Sequence, residues 1–421
     1  MSKKIQAIRG MNDLLPADSQ IWSFLDSTIN NLLLSYGYKY CRTPNVESTE
    51  TFSRAIGEVT DIVEKEMYTW KDNNGDSLTL RPEGTAGVVR MMIEHNLPRE
   101  GIQKVFYNGP MFRHERPQKG RYRQFHQIGA EVFGASDAKV DAELISITDS
   151  LWKALKINAK LEINSLGSAE SRALYREILS EFFNDNKGML DEDSSRRLKT
   201  NPLRILDSKN NDLEALISQA PKMIDHLDDE SKEHFKTLKN YLDQLKIPYI
   251  VNSKLVRGLD YYNQTVFEWV SNELGSQGTI CGGGRYDGLV EKMGGNPTPA
   301  IGFAMGLERI ALLIQDKSKE LIKDRPHLYF LSLGENAHFE SMKLSRKILQ
   351  VMPKITITND ITMGTLKSQM KKANKSGADY AMILGEEELA RNVLSLKPLK
   401  GQGVQQSIEL EGIIHHLQEI L

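Results

Sequence analysis

The sequence predicts an α+β protein: an antiparallel core sheet interrupted by a helical insertion, then a small α/β domain. Three observations predict it. Strand-like runs flank turn residues at Asn73-Asn74-Gly75-Asp76 and at Pro117-Gln118-Lys119-Gly120, as in hairpins. From about Ser171 to Lys246 the composition turns to Asp, Glu, Lys, Asn and Ser with helical periodicity. Beyond Pro326 strands and helices alternate. The expected domains are therefore 1–325, with the insertion at about 171–247, and 326–421, which suits a chain of 421 residues.

Residues Ile5 to Pro16 read as an irregular entry, and Ile21, Phe24, Leu25, Ile29, Leu32 and Leu33 recur at helical spacing until Gly37. Tyr38 to Val46 is extended, with Pro44 marking an edge strand or bulge. Strands are expected at Glu66 to Trp70, Ser77 to Arg81, Val105 to Arg113 and Arg123 to Phe133, with a helix from Thr85 to Leu97 and a turn over Pro98 to Gly101. A helix follows from Ala138 to Leu155, then a strand from Leu161 to Asn164, and Ser168 is placed to cap the next helix. After the insertion, strands are expected at Tyr249 to Val251, Tyr261 to Val270, Thr279 to Gly284 and Ala300 to Phe303, and a helix from Gly306 to Ile314. All strands before the linker, Lys323 to Pro326, are expected in one core sheet. The last domain should carry strands at Leu328 to Leu333, Ile355 to Thr358, Tyr380 to Leu384 and Val393 to Leu396, with helices near Ser341 to Leu349 and Leu366 to Asn374 and one at the end.

Composition excludes several classes. A net charge of −2 gives no global attraction for nucleic acid, so any such surface must be local. Cys41 and Cys281 form neither a metal-spaced pair nor a disulfide framework, which suits a reducing cytoplasm. The start, MSKKIQAIRGMNDLLP, has no long apolar run, so neither signal peptide nor membrane span is expected.

Five polar segments could carry chemistry. The hairpin FRHERPQKGRYRQFHQ, Phe112 to Gln127, places Arg113, Arg116, Lys119, Arg121 and Arg123 within eleven positions. Alternation along its second strand puts Arg121, Arg123, Phe125, Gln127 and Glu131 on one face, which would fit a polyphosphate, a flat ring and a cationic group in turn. Alternation along Arg81-Pro82-Glu83-Gly84-Thr85 aligns Arg81, Glu83 and Thr85. Leu255-Val256-Arg257-Gly258-Leu259-Asp260-Tyr261-Tyr262 is the third segment. In the fourth, Cys281 to Gly288, the glycines admit close approach or a bulge, and Arg285 with Asp287 reads equally as a structural ion pair. The fifth, Ile301 to Arg309, sets Arg309 in a helix's first turn, where an anion is favoured, with a salt bridge to a carboxylate as the alternative; it is neither a P-loop nor a dinucleotide fingerprint.

These segments resemble a known family. The helix and strand ending at Pro44, the hairpin Phe112 to Gln127, and Gly302 to Arg309 look like motifs 1, 2 and 3 of the class II aminoacyl-tRNA synthetases. Arg257 to Tyr262 and Gly282 to Gly288 resemble the two signature peptides of the histidyl-tRNA synthetases. The resemblance covers essentially the whole chain, with the insertion the least matched part.

The resemblance implies ATP-dependent attachment of L-histidine to tRNA(His) through a histidyl-adenylate. ATP would arrive with Mg2+, and no protein-bound structural metal is expected. It implies Arg113 and Arg257 at the α-phosphate, Arg121 and Arg309 on the outer phosphates and Phe125 stacked on adenine. Histidine would meet Glu83, Thr85 and Gln127 through its ammonium, and Glu131 and Tyr262 through its ring, in a pocket lined by Arg257, Tyr261 and Tyr286. Arg116, Gln118 and Lys119 would touch the tRNA acceptor end, and Lys367, Lys371, Lys372 and Lys375 offer phosphates a stripe on the last domain. A homodimer through the segment near Pro44 is implied too. The alternatives are a histidine-sensing regulatory paralogue, which would lack the last domain and erode the arginines, a purely tRNA-binding protein, and a class II synthetase for another amino acid.

Overall fold

The computed structural model describes every residue except 1–3, 58–59, 207, 209, 323–326, 363 and 402. The expected linker, Lys323 to Pro326, lies outside the described residues. The chain divides into two compact units, Met1–Ile322 and Lys323–Leu421.

In chain order the strands of the first unit are β1 (Lys39–Tyr40), β2 (Val46–Ser48), β3 (Tyr68–Lys71), β4 (Ser77–Leu80), β5 (Gln103–Phe112), β6 (Gln124–Phe133), β7 (Lys160–Ser165), β8 (Tyr249–Val251), β9 (Asn263–Val270), β10 (Thr279–Arg285) and β11 (Ala300–Gly306). They form two sheets rather than the one expected. The large sheet runs β1-β5-β6-β11-β10-β9-β7-β8, and β2-β4-β3 is separate. Arg81 explains part of the split. It is buried where the chain leaves β4, and its guanidinium donates to the carbonyls of Pro110 at 2.8 Å and Thr43 at 3.0 Å. It ties the small sheet to β5 and is not in line with Glu83 and Thr85. Thr85 opens a helix, Thr85–Glu94, instead of continuing a strand.

The large sheet is antiparallel at its centre and parallel at both edges, β1 with β5 and β7 with β8. A parallel pair needs a long connection, and the segment between β7 and β8 supplies it. Helices Ala169–Asp185, Glu192–Thr200 and Glu214–Gln219 of that segment share a core of their own, built on Tyr175, Leu179, Phe183 and Ile205. Its last helix, Asp229–Gln244, differs. Phe235, Leu238 and Leu242 join the core under the large sheet.

Strand alternation sorts side chains to two faces. Phe106, Ile128, Ala130 and Val132 pack with helices Ser19–Ser35 and Ala138–Ala154. Val105, Tyr107 and Phe133 face the other way, toward helices Thr49–Ile56 and Thr85–Glu94. Gln127 and Glu131 of β6 lie on this second face, while Gln124 and His126 lie on the first, where His126 meets Trp22. Two boundaries differ from expectation nearby: Glu66 closes a short π-helical turn, Ile62–Glu66, ahead of β3, and Tyr261 and Tyr262 precede β9 in a loop.

The second unit has β12 (His327–Ser332), β13 (Thr356–Asn359), β14 (Tyr380–Leu384), β15 (Val393–Pro398) and β16 (Gln406–Glu409), in the order β13-β12-β14-β15-β16. β12 is parallel to β13 and β14, and the remaining pairs are antiparallel. Helix Glu335–Val351 starts a turn and a half before its expected position, and β16 is an addition. Of the four lysines on helix Leu366–Ser376, Lys367, Lys371 and Lys375 are exposed at spacing four. Lys372 instead turns inward, donating to Thr362 Oγ1 and pairing with Asp360 at 3.4 Å.

Candidate active site

On the second face of the large sheet is a cavity of about 220 Å³. Its walls include Glu83, Thr85, Arg113, Arg121, Phe125, Gln127, Glu131, Arg257, Tyr261, Tyr262, Tyr286 and Arg309. Every residue singled out above for the nucleotide and the amino acid thus lines one space. The β5–β6 hairpin supplies the floor, with Met111 opposite Phe125, Gly109 opposite Gln127 and Val105 opposite Glu131. Arg123 is the exception to the expected face. It precedes β6, its backbone N–H donates to the Gly10 carbonyl at 2.7 Å, and its Nε donates to the Glu115 carbonyl at 3.2 Å.

One end of the cavity is rich in carboxylates. Glu83 accepts from the backbone N–H groups of Thr85 at 2.8 Å and Ala86 at 2.7 Å, at the start of helix Thr85–Glu94. The helix's free donors and dipole favour this charge, yet burial still raises the Glu83 pKa. Glu131 is 1% exposed. Its two oxygens accept from the hydroxyls of Thr85 at 2.9 Å and Tyr286 at 2.5 Å. Burial pushes its pKa up to about 8, against the pull of those two donors. Gln127 Oε1 accepts from the Gly84 N–H at 2.9 Å, which turns its amide N–H2 away from that contact. Gly302 lies directly beneath Glu131: a Cβ there would fall 1.5 Å from Oε2.

The other end is cationic. Arg113 donates through Nε to the Pro82 carbonyl at 2.8 Å, and its guanidinium lies over the Phe125 ring, 5.3 Å from the centroid. Glu115 pairs with Arg121 at 3.3 Å and Arg113 at 3.8 Å. Arg309 donates to the carbonyls of Thr279 and Gly120. Burial, and then Arg121, lower its pKa. Arg257 donates to Glu268, whose second oxygen accepts from Thr279 Oγ1 at 2.9 Å. Burial is the largest influence on the Arg257 pKa and lowers it, but Glu268, Tyr262 and Tyr261 together raise it above its ordinary value. A Cβ on Gly282 would fall 2.6 Å from the Arg257 guanidinium, so a residue without a side chain lets this cation lie on β10. The glycine run also meets irregular pairing: the β10–β9 register shifts between Gly284 and Arg285.

This cavity carries cations at one end and buried acceptors at the other, and comparison with known proteins decides its lineage. Residues 10–310 match the family model described as histidyl-tRNA synthetase. The chain belongs to the histidyl-tRNA synthetase family. Residues 329–420 match the model of an anticodon binding domain. The chain is 61% identical over 420 residues to a histidine-tRNA ligase of Ruthia magnifica subsp. Calyptogena magnifica, covering 100% of both chains. It is 57% identical over 420 residues to that of Vesicomyosocius okutanii subsp. Calyptogena okutanii (strain HA), again covering 100% of both. Among solved structures, apo histidyl-tRNA synthetase of S. aureus is similar at 37% identity with a TM-score of 0.81, over 98% of this chain and 99% of that one. The class II core expected from the sequence is thus the fold of this family.

Arg116, Gln118 and Lys119 lie outside the cavity and are exposed at the hairpin tip. The tip is closed by Gln118 and Arg121, each N–H donating to the other's carbonyl at 3.0 and 2.9 Å. Arg285 is a structural residue: fully buried, it pairs with Asp141 at 2.7 Å and Asp287 at 3.1 Å. Residues not singled out from the sequence matter here as well. Glu268 and Glu115 each hold cavity arginines, and Tyr107, on the same face of the sheet as the cavity, has its hydroxyl 3.4 Å from Gln127 Oε1. Glu268 could have been found by pairing β9 with β10, which sets it opposite Gly282. Among the described residues no group of three or more His, Cys, Asp or Glu is placed to hold a metal ion, and no helix is long and apolar enough to cross a membrane.

Proposed function

We propose that this chain is a histidine-tRNA ligase: it joins L-histidine to ATP as histidyl-adenylate, releases pyrophosphate, and transfers histidine to tRNA(His). The observation that carries this reading is the meeting, in one cavity, of four arginines with a buried carboxylate, Glu131, in a chain alike over its full length to such ligases. Attack of a carboxylate on an α-phosphate needs positioning and charge neutralisation more than a base. Arg113 and Arg257 take the α-phosphate from two sides, and Arg121 and Arg309 take the outer phosphates. Adenine stacks on Phe125, displacing the Arg113 guanidinium that covers the ring in the structure. ATP carries its Mg2+ in with it.

At the other end, Glu83, Thr85 and Gln127 receive the α-ammonium. Each Glu83 oxygen already accepts one N–H and keeps a second lone pair for the ligand. Glu131 accepts from one imidazole nitrogen and the Tyr262 hydroxyl serves the other, with Tyr261 and Tyr286 as walls. The exposed hairpin tip, Arg116 to Lys119, meets the acceptor end, and residues 326–421 act as the anticodon-binding domain. The protein works in the cytoplasm, with Cys41 and Cys281 reduced, and as a homodimer through the edge near Pro44, where Tyr40 and Val46 are exposed. Charging of total tRNA with labelled histidine tests the reading. Accumulation of acid-precipitable histidyl-tRNA is expected, and its absence with active ATP and tRNA present would defeat it.

A further inference from the structure

The insertion does more than connect two parallel strands. Its side chains reach one loop of the core, the segment 257–262, which carries Arg257, Tyr261 and Tyr262. Arg172, in the first helix of the insertion, donates through Nη1 to the Tyr262 carbonyl. Asn201 Nδ2 donates to Asp260 Oδ1 at 2.9 Å, and Arg204 Nη2 donates to the Gly258 carbonyl at 3.3 Å. From the core, the Asp260 N–H donates to the Ile56 carbonyl at 3.3 Å, Glu268 accepts from Arg257, and the Tyr261 ring packs on that of Tyr286, 5.6 Å between centres, but the Tyr262 carbonyl is held by Arg172. Burial lowers the Arg172 pKa while Asp260 raises it. A guanidinium costs free energy to bury, and its charge-assisted bond to a carbonyl offsets part of that cost only while the carbonyl stays in place.

The loop's side chains hang from these anchored points. The rings of Tyr261 and Tyr262 lie 4.6 Å apart, centre to centre, and the Arg257 guanidinium is 5.7 Å from the Tyr262 ring. A displaced Tyr262 carbonyl would move all three. Behind the loop, a second cavity of about 170 Å³ separates it from the insertion, with Leu166, Arg176 and Thr200 on its walls. The space behind the loop is thus bridged by a few polar contacts and is not filled by a packed core.

We propose that Arg172 is a positioning residue for the amino-acid pocket, and that the insertion, through Arg172, Asn201 and Arg204, sets the loop 257–262 in its ligand-ready place. This deepens the function proposed above and rests on it for the identity of the amino acid. Arg172→Met removes the donors at similar length, Arg172→Lys keeps the charge and a single donor group, and Arg176→Ala, one turn along the same helix, is the control, since Arg176 donates to Thr200 inside the insertion.

Steady-state ATP–pyrophosphate exchange and amide hydrogen exchange are measured on all four full-length proteins. Arg172→Met should raise the KM for histidine roughly tenfold to a hundredfold with the KM for ATP little changed. It should also speed exchange of the amides in 257–262, with Arg172→Lys intermediate and Arg176→Ala like the parent. A role confined to holding the insertion down would leave the histidine KM and the loop amides unmoved, and that result overturns the proposal. If the parent fails to exchange with histidine, the function fails instead, while the loop amides still decide whether Arg172 positions the loop.

Discussion

Removing the Glu131 carboxylate should cost histidine activation more than any comparable change at the amino-acid end of the cavity. The residue is buried and accepts two hydroxyl bonds, from Thr85 and Tyr286. In Glu131→Gln the shape is kept and one oxygen remains to accept, but the group can no longer give up its proton to become a charged acceptor for the imidazole. Losing one hydrogen bond to a charged partner is worth about 1.5–3 kcal/mol, or roughly ten- to 150-fold in kcat/KM for histidine. Glu131→Ala goes further. It loses the imidazole acceptor and leaves two buried hydroxyls without theirs, so about 1–3 kcal/mol of folding stability should go with each orphaned donor that water does not reach.

Selectivity should shift in the same variant. In the parent, an apolar amino acid of similar shape gives Glu131 no donor in place of the imidazole N–H and leaves it buried with its two hydroxyl partners alone, the kind of mismatch by which polar sites reject analogues by up to about 10⁴-fold. Without the carboxylate that penalty vanishes. The assay is amino-acid-dependent ATP–pyrophosphate exchange with histidine and with phenylalanine, alongside a thermal melt to separate unfolding from lost recognition. Histidine-dependent exchange at the parent rate in folded Glu131→Ala would refute the role given to this residue.

Three further outcomes follow from the geometry. Gly282→Ala places a Cβ 2.6 Å from the Arg257 guanidinium, so the cation must leave β10; kcat for exchange should fall by about 10²-fold with the histidine KM changing less, and a parent-like kcat would contradict Arg257 as the α-phosphate cation. The raised pKa of Glu131, about 8 against 4.5 for the ordinary group, means that the folded protein holds a proton the unfolded chain has lost between those values; stability from this group is full below pH 4.5 and declines toward pH 8, so the Tm of Glu131→Gln should gain on the parent as pH rises from about 5 to about 8, and a constant gap would show that burial does not raise this pKa. Replacing Lys367, Lys371 and Lys375 together by Gln should raise the tRNA KM about tenfold or more at physiological salt without altering exchange, and an unchanged tRNA KM would mark them as a solvated face.

Much of the site was legible because it lies on short periodic segments. Phe125, Gln127 and Glu131 share a face by strand alternation alone, and the face held wherever the strand was regular. It failed at Arg123, which precedes β6 and is turned toward Gly10. Arg81 and Thr85 went the same way: alternation assumed a strand, but the chain turns after Leu80, and Glu83 caps a helix beginning at Thr85. Local patterns carry no information about partners far along the chain. Glu268 meets Arg257 only because β9 pairs with β10 in a particular register, and Arg172 meets Tyr262 only through the packing of the insertion. Helix Thr49–Ile56 was missed for another reason. At eight residues it is too short to establish a period, and it is held by burial of Phe52, Ala55 and Ile56 rather than by its own propensity.

The proposed function requires that one cavity activate histidine, and no other amino acid, before tRNA is involved. ATP–pyrophosphate exchange with each of the standard amino acids in turn, with and without tRNA, measures this directly. Exchange should depend on histidine alone and proceed without tRNA. Stimulation by a different amino acid, or by none, would contradict the account.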